Sequence, residues 1–340
     1  MRWGLLLINL GTPAAPETPE VRDYLGQFLD DPRVIDIAEW KRWLILNLFI
    51  LRSRPPESAR AYQKIWTERG SPLLFHTQDL RDAVAARLGP EVPVAVGMRY
   101  GEPSIATGLA ELARAGVDQV VALPLYPQYA SSSTGTALEE LYAQAGKSDH
   151  VIPLAVVPPF YDHPAFVRAL TEVSAPALRE ARAERVLVSF HGLPERHVRR
   201  SGPLCLEQPD CCLRIGPENR TCYRAHCYAT ARALATSLEL PDGGWEVAFQ
   251  SEVPGKDPWI KPNTQARIRE LAAEGVKRLA IVAPSFVADC LETLEELALR
   301  AAEEFRELGG EELVVVPCLN AAPVWADAVV ELARACAPKE

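Results

Sequence analysis

No stretch of this chain reaches the roughly 18 uninterrupted apolar residues that a spanning helix needs, so the sequence carries no membrane anchor of that kind. No basic stripe stands out either. With 45 acidic against 36 basic residues and a net charge of −9, nucleic acid is excluded as a partner. A Gly-rich P-loop and a Gly-x-Gly-x-x-Gly fingerprint are both absent, which sets aside the common phosphate- and dinucleotide-binding modules. The hydroxyl run Ser131-Ser-Ser-Thr-Gly135 could attract an anion at a helix start, but it reads better as a helix cap. There is no C-x₂-C pair of the zinc-ribbon type. A disorder signature is lacking too: 48% hydrophobic and 24% charged is ordinary globular composition.

What is present organises as α/β. The 340 residues suffice for one large or two medium domains. The apolar run Gly4 to Leu10 is short for a signal sequence and turns at Gly-Thr-Pro. It therefore reads as a first buried strand, which places the protein in the cytoplasm. Further strands are expected at 92–98, 117–124, 151–157, 185–190, 245–250, 279–283 and 313–317, alternating with helices, the pattern of parallel sheets. The halves resemble each other. Gly116-Val and Gly275-Val each open an apolar strand that ends in proline, and both continue to Leu-Glu-Glu-Leu, at 138–141 and 294–297. Leu10-Gly-Thr-Pro13 and His191-Gly-Leu-Pro194 likewise close a strand with Gly-x-Pro. Two similar domains are expected, residues 1–150 with 320–340 and residues 151–319, with a ligand cleft between their strand ends.

Chemistry concentrates at two strand ends. A helix expected from about Asp289 puts Asp289, Glu292 and Glu296 on one face, with Glu295 turned partly away. Like charges so close repel unless a cation or proton passes among them. His191 closes the strand Val186–Phe190 before a forced turn, which aims the ring into the cleft. An imidazole facing a row of carboxylates suits proton removal from a substrate or the holding of a divalent metal. A third feature is Trp40 to Leu51, nearly unbroken in apolar residues from Trp43. It reads either as a fully buried helix or as an apolar lip that touches a membrane or a greasy ligand.

Seven segments in order resemble ferrochelatases, the family that inserts ferrous iron into porphyrin. They are Leu7-Ile-Asn-Leu-Gly-Thr-Pro13, Gly70-Ser-Pro-Leu73, Met98-Arg-Tyr100, Leu123-Pro-Leu-Tyr-Pro-Gln-Tyr129, Ser189-Phe-His-Gly-Leu-Pro194, Phe249-Gln-Ser-Glu-Val-Pro-Gly255 through Trp259, and Asp289-Cys-Leu-Glu-Thr-Leu-Glu-Glu296. The resemblance implies two similar Rossmann-like domains with four-stranded parallel sheets, a class II chelatase-like fold, around a porphyrin cleft. It implies His191 as base and metal ligand, Glu292 as the catalytic carboxylate, and Asp289 and Glu296 as the acidic line leading from it. Arg99 and Tyr100 match the pair over the porphyrin, and Leu10, Tyr62, Ser71, Tyr129 and Trp259 match other substrate-binding positions. Cys290 departs from the pattern, since many relatives have histidine there.

The implied reaction joins Fe(II), as substrate, to protoporphyrin IX, and the apolar 40–51 segment would give peripheral contact at the inner face of the membrane. Leu10 stands where relatives that use coproporphyrin III carry tyrosine, which favours protoporphyrin IX. A cobalt or nickel chelatase for another tetrapyrrole and a non-catalytic porphyrin carrier are the competing readings. Between 198 and 228 the chain also carries an insert with five cysteines, at 205, 211, 212, 222 and 227, four of them extra to relatives with a short loop. Some ferrochelatases hold a [2Fe–2S] cluster, and this insert resembles an internal version of its site. The expected ligands are Cys205, Cys212, Cys222 and Cys227, with Cys211 as alternate. Zinc is the competing occupant. Cys290, Cys318 and Cys336 read as buried apolar thiols.

Overall fold

A computed structural model of the chain describes residues 2–202, 205–208, 210–253 and 257–338. Pro254 and Gly255, part of one of the seven segments, lie outside the described residues. Eight strands form two all-parallel sheets of four. The first contains β1 (Trp3–Gly11), β2 (Val94–Tyr100), β3 (Gln119–Pro124) and β4 (Leu154–Val156) in the order β2-β1-β3-β4. The second contains β5 (Arg185–His191), β6 (Trp245–Gln250), β7 (Arg278–Val282) and β8 (Glu312–Val315) in the order β6-β5-β7-β8. The order is the same once four is added to each strand number, as expected for repeated halves.

The strands follow from their composition. Leu5, Leu6, Leu7 and Ile8 are all fully buried, so consecutive residues, pointing to opposite faces, both meet apolar cover. Each such side chain contributes about 1.5–3 kcal/mol of burial. On one face of the second sheet Leu187, Ile281 and Leu279 pack with Leu297, Ala301 and Phe305 of the segment that carries the acidic residues.

The recurrent Gly-x-Pro has a steric cause in both halves. A Cβ on Gly11, whose φ is +116°, would lie 1.8 Å from the Tyr100 carbonyl oxygen at the end of β2. A Cβ on Gly192 would lie 2.8 Å from the Gln250 carbonyl oxygen at the end of β6. In each half the chain leaving the central strand is crowded by the last residue of the neighbouring strand.

Two compact units are distinguished: residues 1–126, 131–158 and 326–340, and residues 127–130 with 159–325. The strand expected to open the second half is instead the fourth strand of the first sheet, because Val120, Val121 and Ala122 of β3 pair with Leu154, Ala155 and Val156. The first unit therefore runs past residue 150, and most of the final helix, Pro323–Cys336, belongs to it.

Two helical stretches depart from simple α geometry. Residues Leu46–Ile50 form a π-helical turn between helices Glu39–Ile45 and Leu51–Ile65. Trp40, Trp43, Leu44, Ile45, Leu48 and Phe49 there are exposed, so the segment is an apolar lip and not a buried helix. Arg42 turns inward to Asp30 at 3.2 Å. The second is Glu292–Ala301, a ten-residue π-helix that continues as the helix Ala302–Glu307. Among the described residues no helix is long and apolar enough to cross a membrane. The 131–134 hydroxyls do not cap the helix Thr136–Ala145, whose N-cap is Gly135 with no side-chain bond; Ser131 accepts instead from Arg33 at 2.9 Å.

Candidate active site

The C-terminal ends of β6, β5 and β7 are adjacent, so the residues leaving them share one edge of the second sheet. His191 is the last residue of β5, in register with Gln250 of β6. Its backbone N–H donates to Ser285 Oγ at 3.2 Å, in the loop after β7, and its carbonyl accepts from the Tyr223 hydroxyl at 2.8 Å. Its ring Nδ1 lies 2.6 Å from the Gly192 carbonyl oxygen. A carbonyl only accepts, so Nδ1 carries the hydrogen, and Nε2 is the ring nitrogen that can take a proton or a metal.

Glu292 opens the π-helix. Gln250, wholly buried, ties it to the sheet: its amide donates to the Glu292 carbonyl at 3.2 Å and its carbonyl accepts from Ser189 Oγ at 2.8 Å. The i→i+5 bonding of a π-helix widens each turn and brings residues four apart, here Glu292 and Glu296, closer to a common face than an α-helix does. π-helical insertions occur often at functional sites.

Asp289 precedes the helix. It lies in the loop before the helix, where Asn320 Nδ2 at 2.7 Å, Thr293 Oγ1 at 3.0 Å and the Cys318 N–H at 3.4 Å reach its carboxylate. Glu296 accepts from the Ser251 N–H at 2.8 Å, Ser251 Oγ at 2.6 Å and Gln265 Nε2 at 2.7 Å. Ser251 has φ +63°, a left-handed conformation unusual for serine, and it sets both of that residue's donors on one carboxylate. Every donor that reaches Asp289 and Glu296 among the described residues is neutral. Their hydrogen bonds hold the carboxylates in place. Glu295, expected to turn away, is buried and paired with Arg300 at 3.2 Å.

Replacing Ser251 with alanine removes one of three donors to Glu296. It is expected to lower kcat several-fold and less than about tenfold, the worth of one hydrogen bond. Steady-state assay with thermal unfolding as control checks this, and a loss of activity with no loss of Tm is the expected pairing.

Two thiols lie near this site. Cys290 is buried and its thiol is pushed up, by burial first and then by the Glu292 carboxylate that it hydrogen-bonds. The Cys318 thiol is pushed up by burial and then by Asp289. Cys290 is buried as expected and Cys318 is half-buried, and each thiol stays protonated beside a carboxylate.

Other candidates are placed as follows. Trp259 pairs with Pro194, and its ring borders Gly192, where an added Cβ would sit 3.2 Å from it. The Tyr129 N–H donates to His226 Nδ1 at 3.2 Å, while His226 Nε2 bonds the Arg220 carbonyl at 2.8 Å. His226 is thus a neutral structural imidazole, its pKa lowered by burial. In the first unit Leu10 is half-buried, and Ser71 is buried and accepts from Thr12 Oγ1 at 2.8 Å. Tyr62 is buried, with its ring 6.5 Å from Tyr24 and 6.2 Å from Trp66. Arg99 and Tyr100 converge on Asp31, a buried carboxylate that the sequence reading passed over. It accepts from Arg99 Nη2 at 2.7 Å, the Tyr100 hydroxyl at 2.9 Å and the Thr136 hydroxyl.

In the insert the sulfurs of Cys205 and Cys222 are 3.8 Å apart and those of Cys211 and Cys212 are 3.7 Å apart. The Cys222 thiol, donating to Cys205, draws the Cys205 thiol below its usual pKa and raises its own. Cys212 accepts from Arg224 Nη1 at 3.2 Å, and Cys227 is fully buried. Cys205, Cys211 and Cys222 line a hollow of about 390 Å³. Among the described residues no group of three or more His, Cys, Asp or Glu is drawn together as for one metal ion. The closest sulfur pairs are Cys205 with Cys222 and Cys211 with Cys212, and Cys212 also meets Cys222. Thiolates are the donors that a [2Fe–2S] cluster takes, and zinc takes them as well.

Comparison with known proteins follows the same line. The chain resembles a ferrochelatase of Coxiella burnetii, 45% identical over 334 residues, with 97% of this chain and 93% of the relative covered. Ferrochelatases of Pseudomonas putida (46%, 96% and 97% covered) and Legionella pneumophila (44%, 97% and 98% covered) are similarly close. Among solved structures it is similar to SirB from Bacillus subtilis with Fe³⁺, at a TM-score of 0.56 with 99% of this chain and 96% of that one covered. At 13% identity that likeness bears on the fold alone. The family model described as Ferrochelatase matches residues 2–336. With its sheets, its strand-end histidine and its near-complete coverage by these relatives, the chain belongs to the ferrochelatase family, the metal chelatases that insert metal into porphyrin in haem synthesis.

Proposed function

We propose that the chain inserts Fe(II) into protoporphyrin IX, with His191 Nε2 as the base and first metal ligand. The observation that carries this is the 2.6 Å contact between His191 Nδ1 and the Gly192 carbonyl, which engages Nδ1 as the donor and makes Nε2 the ring nitrogen that can act as base. In the reaction two pyrrole N–H bonds break, four Fe–N bonds form, and two protons leave. A walled site that favours a bent macrocycle exposes those protons. His191 takes one. Glu292, Asp289 and Glu296, without a cationic partner among the described residues, form the path along which metal arrives and protons depart. The substrate-binding positions are Trp259 and Tyr129 in the second unit and Leu10, Tyr62 and Ser71 in the first, where the Asp31 network fixes Arg99 and Tyr100. Leu10 supports protoporphyrin IX over coproporphyrin III.

The reading is tested by anaerobic incubation with Fe(II) and each porphyrin while the porphyrin spectrum is followed. Conversion of protoporphyrin IX is expected, with coproporphyrin III slower. No conversion of either, or cobalt accepted to the exclusion of iron, would overturn it.

Two further parts belong to the proposal. The exposed residues between Trp40 and Phe49 rest on the inner face of the cytoplasmic membrane and receive a greasy substrate there. Cys205, Cys212, Cys222 and Cys227 hold a [2Fe–2S] cluster, which when bound supplies one-electron redox chemistry, with Cys211 the alternate ligand. Protein purified anaerobically is expected to show visible absorbance and two equivalents of inorganic sulfide, and Cys222→Ser is expected to lose both. Colourless, sulfide-free wild-type protein would remove the cluster from the account.

A further inference from the structure

His191 is held through its backbone as well as its ring, and one of the holding groups comes from beside the cysteine insert. The peptide unit joining His191 to Gly192 is gripped at both ends. Its carbonyl accepts from the Tyr223 hydroxyl at 2.8 Å, and its N–H donates to the Gln250 carbonyl at 2.7 Å. The next carbonyl along, that of Gly192, fixes the imidazole by its contact with Nδ1. Glycine has the softest backbone of any residue, so without such a grip the Gly192 carbonyl would not keep one direction. Tyr223 is well suited to the task. It is buried, in the first turn of helix Tyr223–Ser237, and it directly follows Cys222, the N-cap of that helix.

We propose that Tyr223 is a positioning residue for metal insertion: by holding the His191–Gly192 peptide plane it sets the direction of the Gly192 carbonyl, and through it the orientation of His191 Nε2. The proposal rests on His191 being the base. It also gives the cysteine insert a physical link to the reaction centre, because any shift of Cys222 moves the hydroxyl that grips His191.

The test uses the full chain with Fe(II) and protoporphyrin IX, in wild type, Tyr223→Phe and His191→Ala. Tyr223→Phe keeps the ring and removes one donor. Its kcat is expected to fall about tenfold, the worth of one buried hydrogen bond, with KM for protoporphyrin IX within about twofold. The second readout is the imidazole N–H spectrum of ¹⁵N-histidine-labelled protein. There are six histidines, and the His191 signal is identified by its loss in His191→Ala. That signal is expected to move or broaden in Tyr223→Phe. If Tyr223→Phe does not fold, 3-fluorotyrosine at position 223 changes donor strength at nearly constant volume, and the same two readouts are expected to move. Unchanged kcat, or a fall in kcat with an unaltered His191 signal, would overturn the positioning role. Retained turnover in His191→Ala would instead overturn the reading on which it rests.

Discussion

His191→Ala is expected to lower metal insertion by about a thousandfold while porphyrin binding, followed by fluorescence quenching, stays within a few-fold of wild type. The magnitude is that of removing a positioned general base, roughly 10²–10⁴. The selectivity follows from the structure. Among the described residues the side chain removed makes one polar contact, with the carbonyl of the next residue, so deleting it leaves no buried charge behind. The backbone bonds to Ser285 and Tyr223 do not depend on the imidazole and persist in the variant. Added imidazole is expected to restore part of the rate by occupying the vacated space. Turnover near the wild-type level would contradict the assignment.

A second large effect is expected far from the histidine in sequence. Asp31→Ala should destabilise the first unit by about 3–5 kcal/mol, because it strands the largely buried Arg99 guanidinium and leaves two hydroxyls without their acceptor. For a unit of this size that is a fall in Tm of roughly 10 °C. The effect has a pH signature. Burial raises the Asp31 pKa, but the Thr136 hydroxyl, the Arg33 N–H, the Tyr100 hydroxyl and Arg99 together hold it below the ordinary 3.8. A carboxyl with a folded pKa below its unfolded one contributes stability that is fully present above the unfolded value. That contribution fades as pH falls through the folded one. Urea titrations should therefore show a wild-type advantage over Asp31→Ala that is constant from pH 7 to 5 and shrinks below about 4. A constant gap down to pH 2.5 would mean the carboxylate is not ionised by this network.

The contrast between these residues shows what the sequence carries. His191 was legible because it closes an apolar strand and precedes a glycine and a proline, all within a few residues. Asp31 was not: its partners lie 68, 69 and 105 residues away, and an acid after a helix reads as a solvated end. Only the pair Asp30-Asp31 beside the apolar helix hinted that one acid had turned inward. Gln250 and Ser251 were inside a quoted motif, yet nothing local says that they tie β6 to the π-helix. Asp289 was placed on a helix face because spacing assumes the helix has begun. In the structure Asn320 and Thr293 hold it in the loop before the first turn. The third and fourth strands of the first sheet were both visible, but which half the fourth belonged to was not, since strand pairing is a long-range choice that a short apolar run does not encode.

By itself the sequence determined the α/β class, the repeated strand plan and the family, because burial on both faces of a parallel sheet writes itself as unbroken apolar runs and the motifs sit at their ends. Only the tertiary structure decided which hydrogen bonds hold the His191 peptide plane, how the acids of the π-helix are tethered, and that Asp31 is buried. Those depend on groups brought together from distant parts of the chain, where periodicity of the local pattern has nothing to say.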